Sequence, residues 1–305
     1  MERTEMFEKI RSDFWYELLN APVTVVSLVI ILLMAIGCTF APVFAPHTPF
    51  DPATISILDN NLPPAWESGS DPRFLLGTDL QGRDVLSAML YGGRISLLVG
   101  LGAVALSVVI GMTVGLLAGY FGGMTDAILM RVAEIQFAFP PILIALLFNG
   151  IMKASLPANV FAQAAVPIMI LAIGLAGWVQ FARIVRASVL VQRGQDYVTA
   201  CQAIGLPTST IILRHITPNI LGPVLVLAML QIAVAIVTEA TLSFLGLGTP
   251  LTEPSLGALI QIGSQYLFSG IWWVVIFPGT MLLVMVIAFN LVADWVRDYL
   301  NPRLR

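Results

Sequence analysis

Two acidic residues stand where acids are costly. Glu134 and Glu239 lie within or beside long apolar segments. An acid in such a place marks an ion or proton path, a paired structural charge or an interfacial group. Arg131 lies three residues before Glu134, on the same face of a helix, which predicts a local pair. Glu239 is followed by Thr241 and Ser243. Sparse amides accompany these acids: Gln136, Asn149, Gln163, Gln180, Gln231 and Asn290. Such groups either line a hydrophilic passage or bond across helices, at about 1 kcal/mol each at best. Covalent chemistry lacks its parts. HExxH, GxSxG, a Walker phosphate loop and paired-Cys metal spacing are all absent. The two histidines, His47 and His215, are expected on opposite sides of a membrane, and Cys38 and Cys201 imply no disulfide framework. The expectation is no catalytic, cofactor-binding or metal-binding residue in this chain. An intramembrane enzyme is disfavoured, and work against a gradient would need a partner's energy.

One polar stretch stands apart. DYVTACQAIGLPTSTIILRHITPN, from Asp196 to Asn219, carries Asp196, Gln202, Arg214 and His215 between two long apolar segments. It breaks at Gly205-Leu206-Pro207, which predicts a helix, a turn and a second short helix. A compact helix-turn-helix held in water between two membrane helices is a surface for a soluble partner.

The elements that hold this stretch are set by composition. The 305 residues are 58% hydrophobic and 11% charged, with mean hydropathy +0.90. Soluble domains carry roughly 25% charged residues, so the chain is a polytopic membrane protein. Its charge of −3 and lack of a basic run give no footprint for nucleic acid. About six segments reach the roughly 20 residues that span a bilayer: 21–46, 95–121, 127–152, 160–191, 220–245 and 271–292. The mixed-charge start, residues 1–20, leads into a run longer than a signal-peptide core. The proline-rich segment after the first span is expected to be irregular, with residues 82–97 as an interfacial helix. The Gly- and Pro-broken segment 246–270 is expected to lie at the membrane surface or dip into it. In the second span Gly111, Gly115 and Gly119 are four apart, a groove for close helix packing. Arg and Lys concentrate at the termini and around Asp196–Asn219 (Arg183, Arg186, Arg193, Arg214), which places both termini and that loop inside.

Several blocks occur in an order that resembles one family. FLLGTDLQGRDVLSAMLYGGRISLLVG (74–100), YFGGMTDAILMRVAEIQFAFPPILIAL (120–146), EATLSFLGLGTPLTEPSLGALI (239–260) and WWVVIFPGTMLLVMVIAFNLVADWVRDYLNPR (272–303) resemble the second, C-type permease subunit of oligopeptide/dipeptide/nickel-type binding-protein-dependent ABC importers. The polar stretch resembles the family's EAA loop, in which a short cytoplasmic helix docks into a groove on the ATPase subunit. Here Thr199-Ala200-Cys201 stands where Glu-Ala-Ala is usual, and Thr217 replaces a usual Leu. Gly205, His215, Pro218 and Asn219 keep their places.

The resemblance implies an all-α type I importer permease with six spans, multi-pass in the bacterial inner membrane. It implies residues 1–20 as a cytoplasmic segment, 21–46 as the first transmembrane helix and 47–94 as a periplasmic loop with its interfacial helix. Residues 95–292 would be a five-helix core with the coupling loop at 192–219, and 293–305 a cytoplasmic tail. Asp196, Tyr197, Thr199, Ala200, Cys201, Ala203, Gly205, Arg214, His215 and Pro218 would form the ATPase-coupling loop. Partners would be a homologous second permease, two ATPase subunits or domains that bind ATP and Mg, an extracytoplasmic solute-binding protein, and lipid. The solute class is peptides, nickel chelates or related small molecules. The alternative is an ion-coupled secondary transporter or channel subunit working through Glu134 or Glu239.

The charge bias predicts a topology. A reporter fused after Asn301 is expected to register as cytoplasmic, and one inserted between Pro49 and Pro72 as periplasmic. A periplasm-active reporter at the C-terminal site would overturn the scheme.

Overall fold

A computed structural model describes residues 16–51, 55–250 and 254–300. Among them the chain is helical, with one isolated bridge, Thr78 to Asp84, in place of any strand. The helices are α1 (Pro22–Thr39), α2 (Val85–Phe121), α3 (Gly123–Phe137), α4 (Pro141–Ser155), α5 (Ala158–Arg193), α6 (Asp196–Ala203), α7 (Thr208–Phe244), α8 (Leu256–Ser264) and α9 (Trp273–Tyr299). Five of these, α1, α2, α5, α7 and α9, are long and apolar enough to cross a membrane, and the bent pair α3–α4 makes a sixth if counted as one span.

At the centre α2 and α5 run parallel, in contact along most of their lengths. The approach is backbone to backbone. A methyl added at Gly111 would collide with Phe181 Cβ and lie 2.8 Å from the Trp178 carbonyl oxygen. At Gly115 it would lie 2.7 Å from the Ala182 carbonyl oxygen, and at Gly119 3.0 Å from that of Arg186. Gly174 of α5 answers from the other side, against Leu106 and the Ala103 carbonyl. Lipid tails are as apolar as the helix faces, so close packing has to supply the attraction. Helix α7 crosses this pair antiparallel, with Ile236 over Gly100. Helices α1, α8 and α9 pack as a second layer, where buried Cys38 sits against Gly93.

Expectations for four segments change or sharpen. Segment 127–152 is not one straight span: α3 and α4 meet at 85°. Pro140 and Pro141 follow Phe139 at the corner, and a proline has no N–H to continue the ladder and disfavours helix in the residue before it. Residues 82–97 are not a separate interfacial helix, because α2 runs unbroken from Val85 over 37 residues. Asp84 caps its start, its carboxylate accepting from Ser87 N–H at 3.0 Å and Ser87 Oγ at 2.5 Å. Segment 246–270, expected at the membrane surface or dipping into it, enters the bundle: Leu256, Gly257, Ala258 and Leu259 of α8 are buried, and α8 packs against α2, α7 and α9. The second short helix of the polar stretch is also no separate piece, since it is the first turn of α7.

Residues 47–84 cap one end of the bundle with turns. Thr78 is their hub. Its hydroxyl donates to Asp59 O at 2.6 Å and accepts from Leu62 N–H at 2.8 Å, while Trp273 Nε1 donates to Thr78 O at 2.9 Å. A buried ion pair, Arg83 Nε to Asp79 Oδ2 at 2.6 Å, closes the last turn. Gly82 has φ +78 with the Ser56 carbonyl directly against it, so both the backbone and the space require glycine.

The α2–α5 contact predicts a graded response to side chains. Gly115→Val, which must push aside α5 backbone, is expected to cost about 1–3 kcal/mol and lower the unfolding temperature of the detergent-purified protein. Gly150→Ala, where nothing lies within 4 Å, is expected to be neutral or slightly stabilising. Thermal unfolding of the two variants beside the parent checks this, and equal midpoints would refute it.

Candidate functional site

The polar stretch leaves the end of α5 and returns into α7. In α6 only Val198 is fully buried, beside Val189 and Ile216 in the main core, and Tyr197, Cys201 and Leu206 pack half-buried around it. The helix ends in a Schellman turn: Gly205 N–H bonds Gln202 O at 3.0 Å and Leu206 N–H bonds Cys201 O at 3.1 Å. Gly205 has φ +73, the left-handed value that this motif needs. Pro207 then caps α7, whose residues Ile211–Ile216 form a π-helical turn. Pro218 lacks the N–H that an α-helix would direct at Arg214 O, and its ring crowds that carbonyl, so a wider turn just before it is the expected relief.

Two polar links bolt the loop to its helices. Tyr197 Oη donates to Gln192 Oε1 at 2.8 Å. Asn219 Nδ2 donates to His215 O at 2.8 Å and reaches Tyr197 Oη at 3.3 Å. What remains outside is a ridge of small and short side chains: Asp196, Thr199, Ala200, Gln202 and Ala203 are exposed, as are Arg214 and Pro218. Two large apolar residues join them without cover, Ile204 at 74% exposure and Leu213 at 66%. His215 is half-buried. The arrangement holds nothing for bond making. It presents a helix with a low outer profile and an apolar margin.

Several of the intramembrane polar residues bond between helices, and one pair bonds within its own helix. Arg131 Nη1 lies 3.3 Å from Glu134 Oε2, on the exposed side of α3. Gln136 Nε2 donates to Leu175 O at 2.6 Å, and Trp178 Nε1 donates to Gln136 Oε1 at 2.9 Å, which ties α3 to α5. Gln231 Nε2 donates to Gln180 Oε1, which ties α7 to α5. Beside this pair lies a cavity of about 60 Å³ that Ser107 and Thr238 also line. Glu239 is fully buried. Its carboxylate accepts from Ser96 Oγ of α2 at 2.6 Å and from Ser243 Oγ at 2.6 Å, and Ser255 at the start of α8 stands against the same group. The acid therefore joins three elements, and no cation among the described residues is paired with it.

Some linking residues had no signal in the sequence. Asp126 of α3 takes a bidentate grip from Arg186 of α5, with Arg186 Nη2 donating to Asp126 Oδ2 at 2.6 Å. The partners are 60 positions apart, and nothing local marks them. Arg183 lies 4.8 Å from the ring centre of Phe137, and Arg193 lies 5.9 Å from that of Tyr120. Lys153 Nζ and Asn149 Nδ2 both donate to carbonyls of the Gly246–Leu247 turn.

Comparison with known proteins gives a consistent result. Residues 111–305 match the family described as binding-protein-dependent transport system inner membrane component. Residues 11–64 match the N-terminal TM domain of oligopeptide transport permease C. The chain is 35% identical over 293 residues to the dipeptide transport system permease protein DppC of Haemophilus influenzae, covering 96% of this chain and 95% of that one. It is 37% identical over 280 residues to the oligopeptide transport system permease protein OppC of Bacillus subtilis, covering 92% and 85%. Among solved structures, an inward-facing MetNI methionine ABC transporter aligns with TM-score 0.54 at 16% identity, covering 70% of this chain and 96% of that one. An amino acid ABC transporter solved with histidines aligns with TM-score 0.52 at 17% identity, covering 70% and 94%. At such identities these two speak for the fold alone.

The buried acid predicts a contrast between two substitutions. Glu239→Gln keeps the shape and a polar group for each hydroxyl, since a hydroxyl serves as donor or acceptor, and is expected to stay close to the parent in stability. Glu239→Leu strands the Ser96 and Ser243 hydroxyls in the interior at about 1–3 kcal/mol each. Unfolding midpoints in detergent should fall for Leu and hold for Gln. An equal fall in both would show that the charge itself, and not the hydrogen bonds, is what the site uses.

Proposed function

The chain belongs to the binding-protein-dependent transport system inner membrane component family, and we propose that it gives one half of a transmembrane pathway and takes its power through α6. It is a permease subunit of an ATP-driven importer in the bacterial inner membrane, and it is not itself an enzyme. The nucleotide and its magnesium are then held by two partner ATPase subunits or domains. A homologous second permease completes the pathway, and an extracytoplasmic solute-binding protein delivers the solute. The relatives' names carry dipeptide and oligopeptide transport, so the solute we assign is a short peptide or a related small molecule. In this reading residues 1–20, the loop 192–219 and the tail 293–305 face the cytoplasm, and residues 47–84 face the periplasm.

The observation that carries the coupling role is the fixed, exposed profile of α6. A docked helix transmits force only if it does not shift against its own subunit. Val198 and the Tyr197–Asn219 link hold α6 to both α5 and α7. Its outer side, at Thr199, Ala200 and Ala203, has no bulk to keep a groove wall away. Thr199, where relatives have Glu, removes a charge from that side and leaves the shape. When the ATPases close on nucleotide, α6 moves with them, and the start of α7 moves with α6. The permease pair then exchanges inward and outward access.

Two substitutions test this in the reconstituted importer, with the second permease, ATPases and binding protein present. Ala200→Trp adds bulk to the docking side. Gly205→Val places a β-branched residue at φ +73, where left-handed backbone costs about 1–2 kcal/mol. Both are expected to insert normally, to lose binding-protein-stimulated ATP hydrolysis and to lose uptake. Cys201 is expected to crosslink to a cysteine placed in the ATPase groove, with a yield that changes with ATP. Wild-type transport in both variants would remove α6 from the mechanism. Uptake that persists without ATP and collapses with the ion gradient would favour an ion-coupled carrier.

A further inference from the structure

Most cations in the described part of the chain have a partner. Arg73 is held by Asp59 and Asp71, Arg83 by Asp79, Arg131 by Glu134, Arg186 by Asp126 and Arg297 by Asp294. Arg183 and Arg193 lie over aromatic rings, and Lys153 donates to a carbonyl. Arg94 and Arg214 are left. Arg214 is on the docking loop. Arg94 opens onto a cavity of about 390 Å³, within the size range of small-ligand sites. Tyr91 and Phe50 form one wall, their rings edge to face at 5.8 Å, and Ile95, Leu98 and Val166 form an apolar floor. Asp51 also lines the mouth and has an interaction of its own. A second cavity of about 350 Å³ continues past Ile95 and Val166 to Gln163. The two share Ile95 and Val166 in their walls and so lie side by side as one trough-like face, with a cation beside one and an amide beside the other.

Position along α2 places this trough in water. Arg94 is 27 residues before Phe121, about 40 Å along the helix. Tyr120 and Phe121 lie at the opposite end, beside Arg193, and mark the water boundary there. A hydrocarbon core is about 30 Å thick, so Arg94 stands roughly 10 Å beyond it, on the side away from α6.

We propose that Arg94 is a carboxylate-receiving subsite where a short, extended solute first meets this chain. This rests on the importer reading and adds the chemistry of solute reception. The guanidinium fork matches a carboxylate through two parallel N–H donors, the aromatic wall and apolar floor accept side chains without selecting among them, and Gln163 offers hydrogen bonds to a backbone amide. Such a site takes peptides by their free C-terminus whatever their sequence.

The test uses the assembled importer in nanodiscs, without binding protein or ATP, and two probes, trialanine and its C-terminal amide. Direct binding is expected to favour the acid over the amide. Arg94→Gln is expected to weaken acid binding by roughly tenfold or more and leave the amide unchanged, and Arg94→Lys to restore part of the loss. Arg94 makes no ion pair or hydrogen bond among the described residues, so Arg94→Gln removes no internal contact, and the thermal unfolding midpoint and assembly of the importer should be retained. Equal binding of acid and amide by the parent, or no change in Arg94→Gln, overturns the subsite. So does loss of bound phosphatidylglycerol with peptide binding intact, which would make Arg94 a lipid contact. Release of the second permease on size exclusion would make it a subunit contact and also overturn the subsite. None of these outcomes touches ATP-dependent uptake, which is measured separately and decides the importer reading.

Discussion

The closeness of α2 and α5 is the constraint from which the rest follows. Two helices of 37 and 36 residues lie backbone against backbone because Gly111, Gly115, Gly119 and Gly174 present no side chain at the contact. The approach sets the register of α5 to within a turn. In that register Trp178 faces Gln136, and Arg186 faces Asp126, so α5 in turn holds α3. With α3 held and the chain forced to a corner at Pro140, α4 leaves at 85° and runs back along α5. A side chain at Gly115 would therefore disturb more than one contact, because the polar bonds downstream depend on the same spacing.

Helix α7 joins the two ends of the molecule. At its start, Asn219 and the Ile211, Ile212 and Ile216 cluster clamp it to α6. Near its other end, Glu239 gathers hydroxyls from α2, α7 and the start of α8. Between them Gln231 is tied to Gln180 of α5. The far end of α7 is thus fastened to α2 and to the start of α8, and the π turn at Ile211–Ile216 is where its hydrogen-bond ladder departs from α-helical spacing.

The sequence made the periodic parts legible and left the long-range ones hidden. Six apolar segments, the four-residue glycine spacing and the Gly205 break are all local patterns, and each has a counterpart in the structure. The Arg131–Glu134 pair was legible for the same reason, as two residues one turn apart. Bends and continuities were not. Apolar composition is blind to the difference between one straight span and two helices meeting at Pro140, and to the continuation of α2 outward from residue 95 to Val85. Long-range polar pairs were out of reach altogether: Ser96 and Glu239 are 143 residues apart. The intramembrane acids and amides had two open readings in sequence. Of the six amides, Gln136, Gln180 and Gln231 have helix-to-helix bonds in the fold, and Asn149 bonds the Gly246–Leu247 turn.

That outcome bears on where a solute can go. The cavity among α2, α5 and α7 measures about 60 Å³, room for a few waters and well below the size of a small-ligand site. A peptide cannot pass between these helices without breaking the α2–α5 contact and the amide bonds that depend on it. In the function proposed above, the route through the membrane runs along an outer face of the bundle, closed on its other side by the second permease. The faces open to such a role are apolar, with Leu143, Leu147 and Ile151 of α4 and Val234 and Val237 of α7 more than a third exposed. An apolar face shared between two permeases gives a channel wall that binds peptide side chains weakly and alike, so selection has to occur before the solute reaches it.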